Sequence, residues 1–145
     1  MKNKRLNQLG FTLIELMIAL AIVAILASVA IPSYQQSVNR GRHSDALIAL
    51  EQVAAMQEQH YFRFNQYTTD VDDLGGVGGT LTSPEGHYVI TTVSTDVAND
   101  FTLTATANSG GAQSDTDCFS FRLASTGAKT AYTSTNTLQP NCLRD

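Results

Sequence analysis

The apolar positions along this chain change period twice. From Phe11 to Ile31 run 21 residues, FTLIELMIALAIVAILASVAI, interrupted only by Thr12, Glu15 and Ser28. As a helix this stretch is about 30 Å long, the thickness of a bilayer's hydrocarbon core. Pro32 follows. It lacks a backbone N–H and disfavours helix at the residue before it, so a kink or local unwinding is expected there. From Ser33 to about Phe64 the pattern is amphipathic, with Leu47, Leu50, Val53, Ala54, Tyr61 and Phe64 near helical spacing and Glu51, Glu58 and Gln59 elsewhere. This segment continues the anchor as one long helix. Residues 87–93 (HYVITTV), 101–107 (FTLTATA) and 118–124 (CFSFRLA) then carry the β-branched, aromatic and alternating character of strands. A Gly-, Thr- and Asp-rich loop, residues 65–86, separates helix from strands. The expected fold class is α+β: a helical spine packed on a small antiparallel sheet.

Charge sharpens this picture. Lys2, Lys4 and Arg5 precede Gly10, which leaves six basic side chains against thirteen acidic ones in the remainder, a balance of −7. The flanking cations put the N-terminus on the cytoplasmic side and send the C-terminal bulk across the membrane. An acidic body of this kind is repelled overall by phosphate backbones, although a local basic patch can still bind nucleic acid; Arg40 and Arg42, close together near the membrane end of the spine, are too few to decide between anionic lipid, a neighbouring subunit and DNA. Cys118 and Cys142 form one even pair. Read alone they are a disulfide, two buried thiols or half a metal site, and no second pair or His at ligand spacing accompanies them. An extracytoplasmic destination favours the disulfide.

The order of the first segments departs from ordinary export. Residues 1–10, MKNKRLNQLG, are short, basic and polar. A secretory signal places its small-residue cut site after the apolar run, whereas Gly10 stands before it. A cut after Gly10 removes a leader and leaves the anchor on the product. Glu15 is the residue most in need of an explanation, since a carboxylate deep in an apolar segment costs several kcal/mol unless it finds a partner or stays protonated. Small residues at Ala19, Ala21, Ala24, Ala27, Ser28 and Ala30 let copies of such a helix approach closely.

Residues 10–16, Gly-Phe-Thr-Leu-Ile-Glu-Leu, closely resemble the type III signal of type IV prepilins and type II secretion pseudopilins. The resemblance implies cleavage between Gly10 and Phe11 by a prepilin peptidase, N-methylation of Phe11, and a role in assembly for Glu15. Glu15 becomes the fifth residue of the cut chain, placed to pair with the ammonium of a neighbouring subunit. The stretch from Tyr34 to Tyr67 and the segments Ser83–Tyr88 and Phe101–Ala105 are similar to the PilE-type minor pilins. In that group a C-terminal Cys is followed by an aromatic residue, where this chain has Leu143 after Cys142.

By the same resemblance Cys118 and Cys142 close a C-terminal loop. The implied organisation is a cleaved leader (residues 1–10), a membrane and fibre-core helix (11–32) and a head (33–145). The implied setting is the inner membrane of a Gram-negative bacterium and then a surface fibre. Its partners would be other pilin subunits, the prepilin peptidase and the pilus assembly machinery. A competence pilin that receives DNA and a type II secretion pseudopilin are the alternative readings.

Motifs for other chemistry are weak. His43, His60 and His87 are dispersed, with no ligand spacing between them, so no metal site is expected. Asp70, Asp72 and Asp73 open like a calcium loop, but the Gly and distal Glu of an EF-hand are missing. The run Gly75–Gly79 matches neither a dinucleotide nor a phosphate-loop signature. No nucleophile sits in an activating motif, so neither a cofactor nor enzyme activity is expected.

Overall fold

The computed structural model describes residues 11–108 and 117–143. Gly10 and the leader expected over residues 1–10 lie outside the described residues. Contacts divide the chain into two compact units, with the boundary between Ser37 and Val38. A single α-helix, α1 (Leu13–Phe64), contributes to both. It ends at the residue where the amphipathic pattern ends. The helix is continuous through Pro32, so the local unwinding expected there is not observed. Proline deletes one amide donor from the ladder, and the turns on either side keep theirs.

In the second unit, five strands follow the helix: β1 (Leu81–Thr82), β2 (Tyr88–Val93), β3 (Thr102–Ala107), β4 (Ser120–Ala124) and β5 (Lys129–Tyr132). They form one antiparallel sheet in the order β1-β2-β3-β4-β5, each strand paired with its neighbour in sequence. The three strands expected from alternation are β2, β3 and β4. Along β3 the inward positions are Leu103, Ala105 and Ala107, and the outward ones are Thr102, Thr104 and Thr106. This is the side-chain period of two that made the strand visible in the sequence. β1 and β5 were not expected: β1 is only two residues long, and β5 has a single buried position, Ala131.

The core lies between the sheet and the residue 38–64 part of α1. Ala46, Ala49, Leu50 and Val53 recur at helical spacing and meet Tyr88, Ile90, Leu103 and Phe121, with Leu74 and Phe101 beside them. Large side chains such as Leu50 and Phe121 contribute about 1.5–3 kcal/mol each by leaving water. Small ones, Ala46, Ala49, Ala105 and Ala131, complete the cluster. The expected apolar stripe was displaced toward the helix end. Leu50 and Val53 are buried and Leu47 and Ala54 are partly so, but Phe64 is 63% exposed and stacks on His60. The buried stripe extends instead through two polar residues, Asp45 and Gln57.

These two polar residues tie the helix to the rest of its unit. Gln57 is wholly buried: its Nε2 donates to the Thr68 carbonyl (2.7 Å) and the Thr92 hydroxyl (3.0 Å), and its Oε1 accepts from the Thr68 N–H (3.0 Å). Asp45 accepts from the Ser83 hydroxyl (2.6 Å) and the Glu85 N–H (3.1 Å). Both therefore have their hydrogen-bonding capacity used inside the fold, as buried polar groups require. The glycine-rich run is an ordered turn. Val77 and Thr80 exchange both backbone bonds across Gly78 and Gly79, whose φ values of 61° and 77° suit the two-residue hairpin turns that need positive φ.

In the β2–β3 loop, Asp100 accepts from the Ser94 hydroxyl (2.9 Å), the Thr95 hydroxyl (3.0 Å) and the Thr95 and Asp96 N–H groups. These bonds, the Ser94 hydroxyl first, hold its carboxyl below the usual carboxylate range.

Two outcomes follow. A Gln57→Leu variant leaves the buried Thr68 N–H without its partner, and urea denaturation is expected to read a loss of about 2–3 kcal/mol. Because the folded pKa of Asp100 is depressed, its contribution is complete above the usual aspartate range and is lost as pH falls through the lowered value. Amide exchange at Thr95 and Asp96 is expected to accelerate in that acidic window. Asp100→Asn is expected to remove the pH dependence.

Candidate assembly site

The helix begins with a local signal that the apolar pattern conceals. Thr12 is its N-cap: the hydroxyl accepts from the Glu15 N–H (3.3 Å) and the carbonyl accepts from the Leu16 N–H (3.3 Å). Thr12-Leu13-Ile14-Glu15 is thus the S/T-x-x-E spacing of a capping box, a signal that sits at the edge of the apolar run where hydropathy shows only an interruption. The cap fixes Glu15 in the first turn, where the helix dipole favours a negative charge. The carboxylate has no hydrogen-bond or ion-pair partner among the described residues.

Around it every large apolar side chain is exposed, Phe11 at 78%, Ile14 at 66% and Leu20 at 69% among them. The segment is long and apolar enough to cross a membrane and none of it is buried within the chain. Ser28 alone could have broken the apolar surface with a bare hydroxyl, but it donates to the Ile25 carbonyl one turn back (2.7 Å). Phe11, Glu15 and Pro32 therefore lie on, or immediately before, the exposed N-terminal part of α1, and nothing among the described residues satisfies the acid.

The second unit holds the other expected pair. Cys118 and Cys142 are joined in a disulfide with Cα atoms 5.8 Å apart. The bridge closes a segment that contains β4 and β5, which bring Phe121, Leu123 and Ala131 to the core. A short 3-10 turn, Pro140–Leu143, carries Cys142 back, and Tyr132 pairs with Leu138 beside it.

Residues flagged for other chemistry have structural work. Asp70 accepts from the Asp72 N–H, Asp72 accepts from the Gly79 N–H (2.8 Å), and Asp73 accepts from the Thr68 hydroxyl (3.0 Å). His60 Nδ1 lies 2.9 Å from the Gln66 carbonyl, and His43 packs on Phe121. Among the described residues no group of three His, Cys, Asp or Glu side chains is placed to hold a metal ion. The cations of this unit are also engaged or dispersed. Lys129 pairs with Glu51, while Arg122 lies over the Tyr132 ring (4.2 Å) and donates to Asn136 (2.9 Å).

Comparison with known proteins is consistent across both units. Residues 5–31 match the prokaryotic N-terminal methylation motif, and residues 32–122 match a family described as type IV minor pilin ComP, DNA uptake sequence receptor. The chain is 38% identical over 104 residues to the type IV major pilin protein PilE1 of Neisseria gonorrhoeae, a match covering 72% of this chain and 55% of that protein. It is 38% identical over 105 residues to the fimbrial protein EcpC of Eikenella corrodens, covering 72% of this chain and 65% of that one. The chain thus spans from about a third to two thirds of the length of the curated relatives it matches. A solved type IV pilin from Shewanella oneidensis aligns at 23% identity with a TM-score of 0.44, covering 63% of this chain and 89% of that structure.

For the disulfide, the chain-entropy model gives about 3 kcal/mol for a loop of this size. Urea unfolding of the oxidised and reduced protein, or of the Cys142→Ser variant, is expected to differ by that amount.

Proposed function

Because this chain belongs to the type IV minor pilin family whose model it matches over residues 32–122, we propose that it is a structural subunit of a type IV pilus. A precursor held in the membrane by its apolar helix is cut between Gly10 and Phe11, methylated at Phe11, and built into a helical polymer with other pilin subunits. The prepilin peptidase and the inner-membrane assembly machinery are its processing partners. The observation that carries this reading is a capped, fully exposed apolar helix with one unpartnered acid in its first turn, lying inside the match to the methylation motif.

In that setting Glu15 has a physical task. An unpaired carboxylate in hydrocarbon is costly, and the ammonium of a cut Phe11 on another subunit is the nearest complementary charge the polymer offers. A subunit at the wrong height would leave both charges unpaired, so the pair selects the axial stagger. Pro32 provides the place where the helix can bend as subunits pack. The disulfide supports a head that must keep its shape at the fibre surface.

A second reading, reception of DNA, is favoured by the description of the matched family. The charge of this chain opposes it. Six cations face thirteen acids beyond Gly10, and Arg122 and Lys129 are already engaged. Nanomolar, salt-sensitive retardation of duplex DNA by the detergent-solubilised chain would establish reception in addition to the structural role.

Mass spectrometry of membrane-extracted protein is expected to find a chain beginning at N-methylated Phe11. A Glu15→Leu variant is expected to be cut normally yet to fall at least tenfold in sheared fibres. Normal incorporation of that variant would overturn the role given to Glu15.

A further inference from the structure

Gly41 stands in the interior of α1, where glycine is less stable than alanine because it gives up more backbone freedom. Nothing in its own chain calls for it. A Cβ built there meets no atom within 4 Å, and the backbone is ordinary helix. The position lies on an open groove of the second unit, between the helix at Val38, Gly41 and Ile48 and the β1–β2 connection at Pro84, Glu85 and His87. The two walls are fixed to each other, because Asp45 bonds the Ser83 hydroxyl and the Glu85 N–H across them. Ile48 remains 51% exposed on this wall.

We propose that this groove receives a second copy of this chain, and that the missing side chain at Gly41 is the space the neighbour fills. The inference rests on the fibre-subunit reading and adds where, on the second unit, copies touch. Continuity identifies the occupant. Among the described residues nothing buries residues 13–31 of α1, which on the fibre-subunit reading are covered by other copies; Val38, Gly41 and Ile48 come next on the same helix. The lining agrees with a protein partner: apolar Val38, Ile48 and Pro84 are bordered by charges of both signs, Arg42 against Asp45 and Glu85. A phosphate-bearing partner would meet the Glu85 carboxylate there, with the bonded Asp45 beneath it.

Two measurements on the full-length chain in a piliated host test this. A photo-crosslinking residue in place of Gly41 is expected to give covalent dimers in sheared fibres, with the linked peptide mapping to a second copy. In a size series, Gly41→Ala and Gly41→Leu are expected to leave the Tm of the detergent-solubilised chain unchanged or raised by a few degrees. Fibre incorporation should fall with side-chain volume, more than tenfold for Gly41→Leu.

Capture only of lipid or of a different protein, or Gly41→Leu incorporated as well as the unaltered chain, would overturn the proposal. Failure of the parent reading looks different, since the unaltered chain would then be absent from fibres altogether.

Discussion

One helix has to satisfy two incompatible demands, and the rest of the structure follows from how it divides them. Over residues 38–64 it offers a narrow buried stripe, Ala46, Ala49, Leu50, Val53 and Gln57, which a small sheet is enough to cover. Over residues 13–31 it is apolar on nearly every side, and none of that stretch is buried among the described residues. Burial on that scale is worth tens of kcal/mol by area, so the segment is bound to take cover in lipid or among other helices of its kind. A protein with such a segment is complete only in company.

The head meets the opposite problem, since few apolar residues must hold a five-stranded sheet against half a helix. It solves this with specific polar ties rather than bulk. Gln57 and Asp45 reach from the helix to loop and strand, with every buried polar atom of theirs bonded, and bonds of this kind favour one placement of the helix against the sheet. The disulfide acts on the unfolded chain as much as on the folded one, restricting the very segment in which β5 contributes little burial of its own. Tyr67 belongs to the same economy of means. It packs on Tyr61 and Phe101 while its hydroxyl reaches Glu58, and burial beside that carboxylate raises its pKa above the ordinary tyrosine value.

Much of this architecture was legible in the residues. The end of α1 at Phe64 and the three central strands followed from periodicity, because β2 and β3 bury alternate side chains against one face and β4 does so from Phe121 onward. β5 escaped notice because Lys129-Thr130-Ala131-Tyr132 buries one methyl group and owes its place to pairing with β4 and to the bridge beyond it. The helix face was misjudged at Phe64 for a related reason. Hydrophobicity alone ranks phenylalanine above glutamine, yet Gln57 is buried by its bonds and Phe64, the last residue of the helix, lies at the surface. At the N-terminus Glu15 stood out as a misplaced charge, but the cap formed by Thr12 needed geometry to be seen. Gly41 gave no signal in the sequence, since its meaning lies in the empty space beside it.

The strand order has a bearing on how the head comes into being. Each strand pairs with the one synthesised just before it, so no contact in the sheet waits for a distant part of the chain. Pairings with such short sequence separations form quickly, whereas the contacts between helix and sheet, such as Lys129 with Glu51, join distant parts of the chain. Cys142 lies beyond the last strand, so the bridge ties the end of the sheet back to the start of β4 without interrupting any strand pairing.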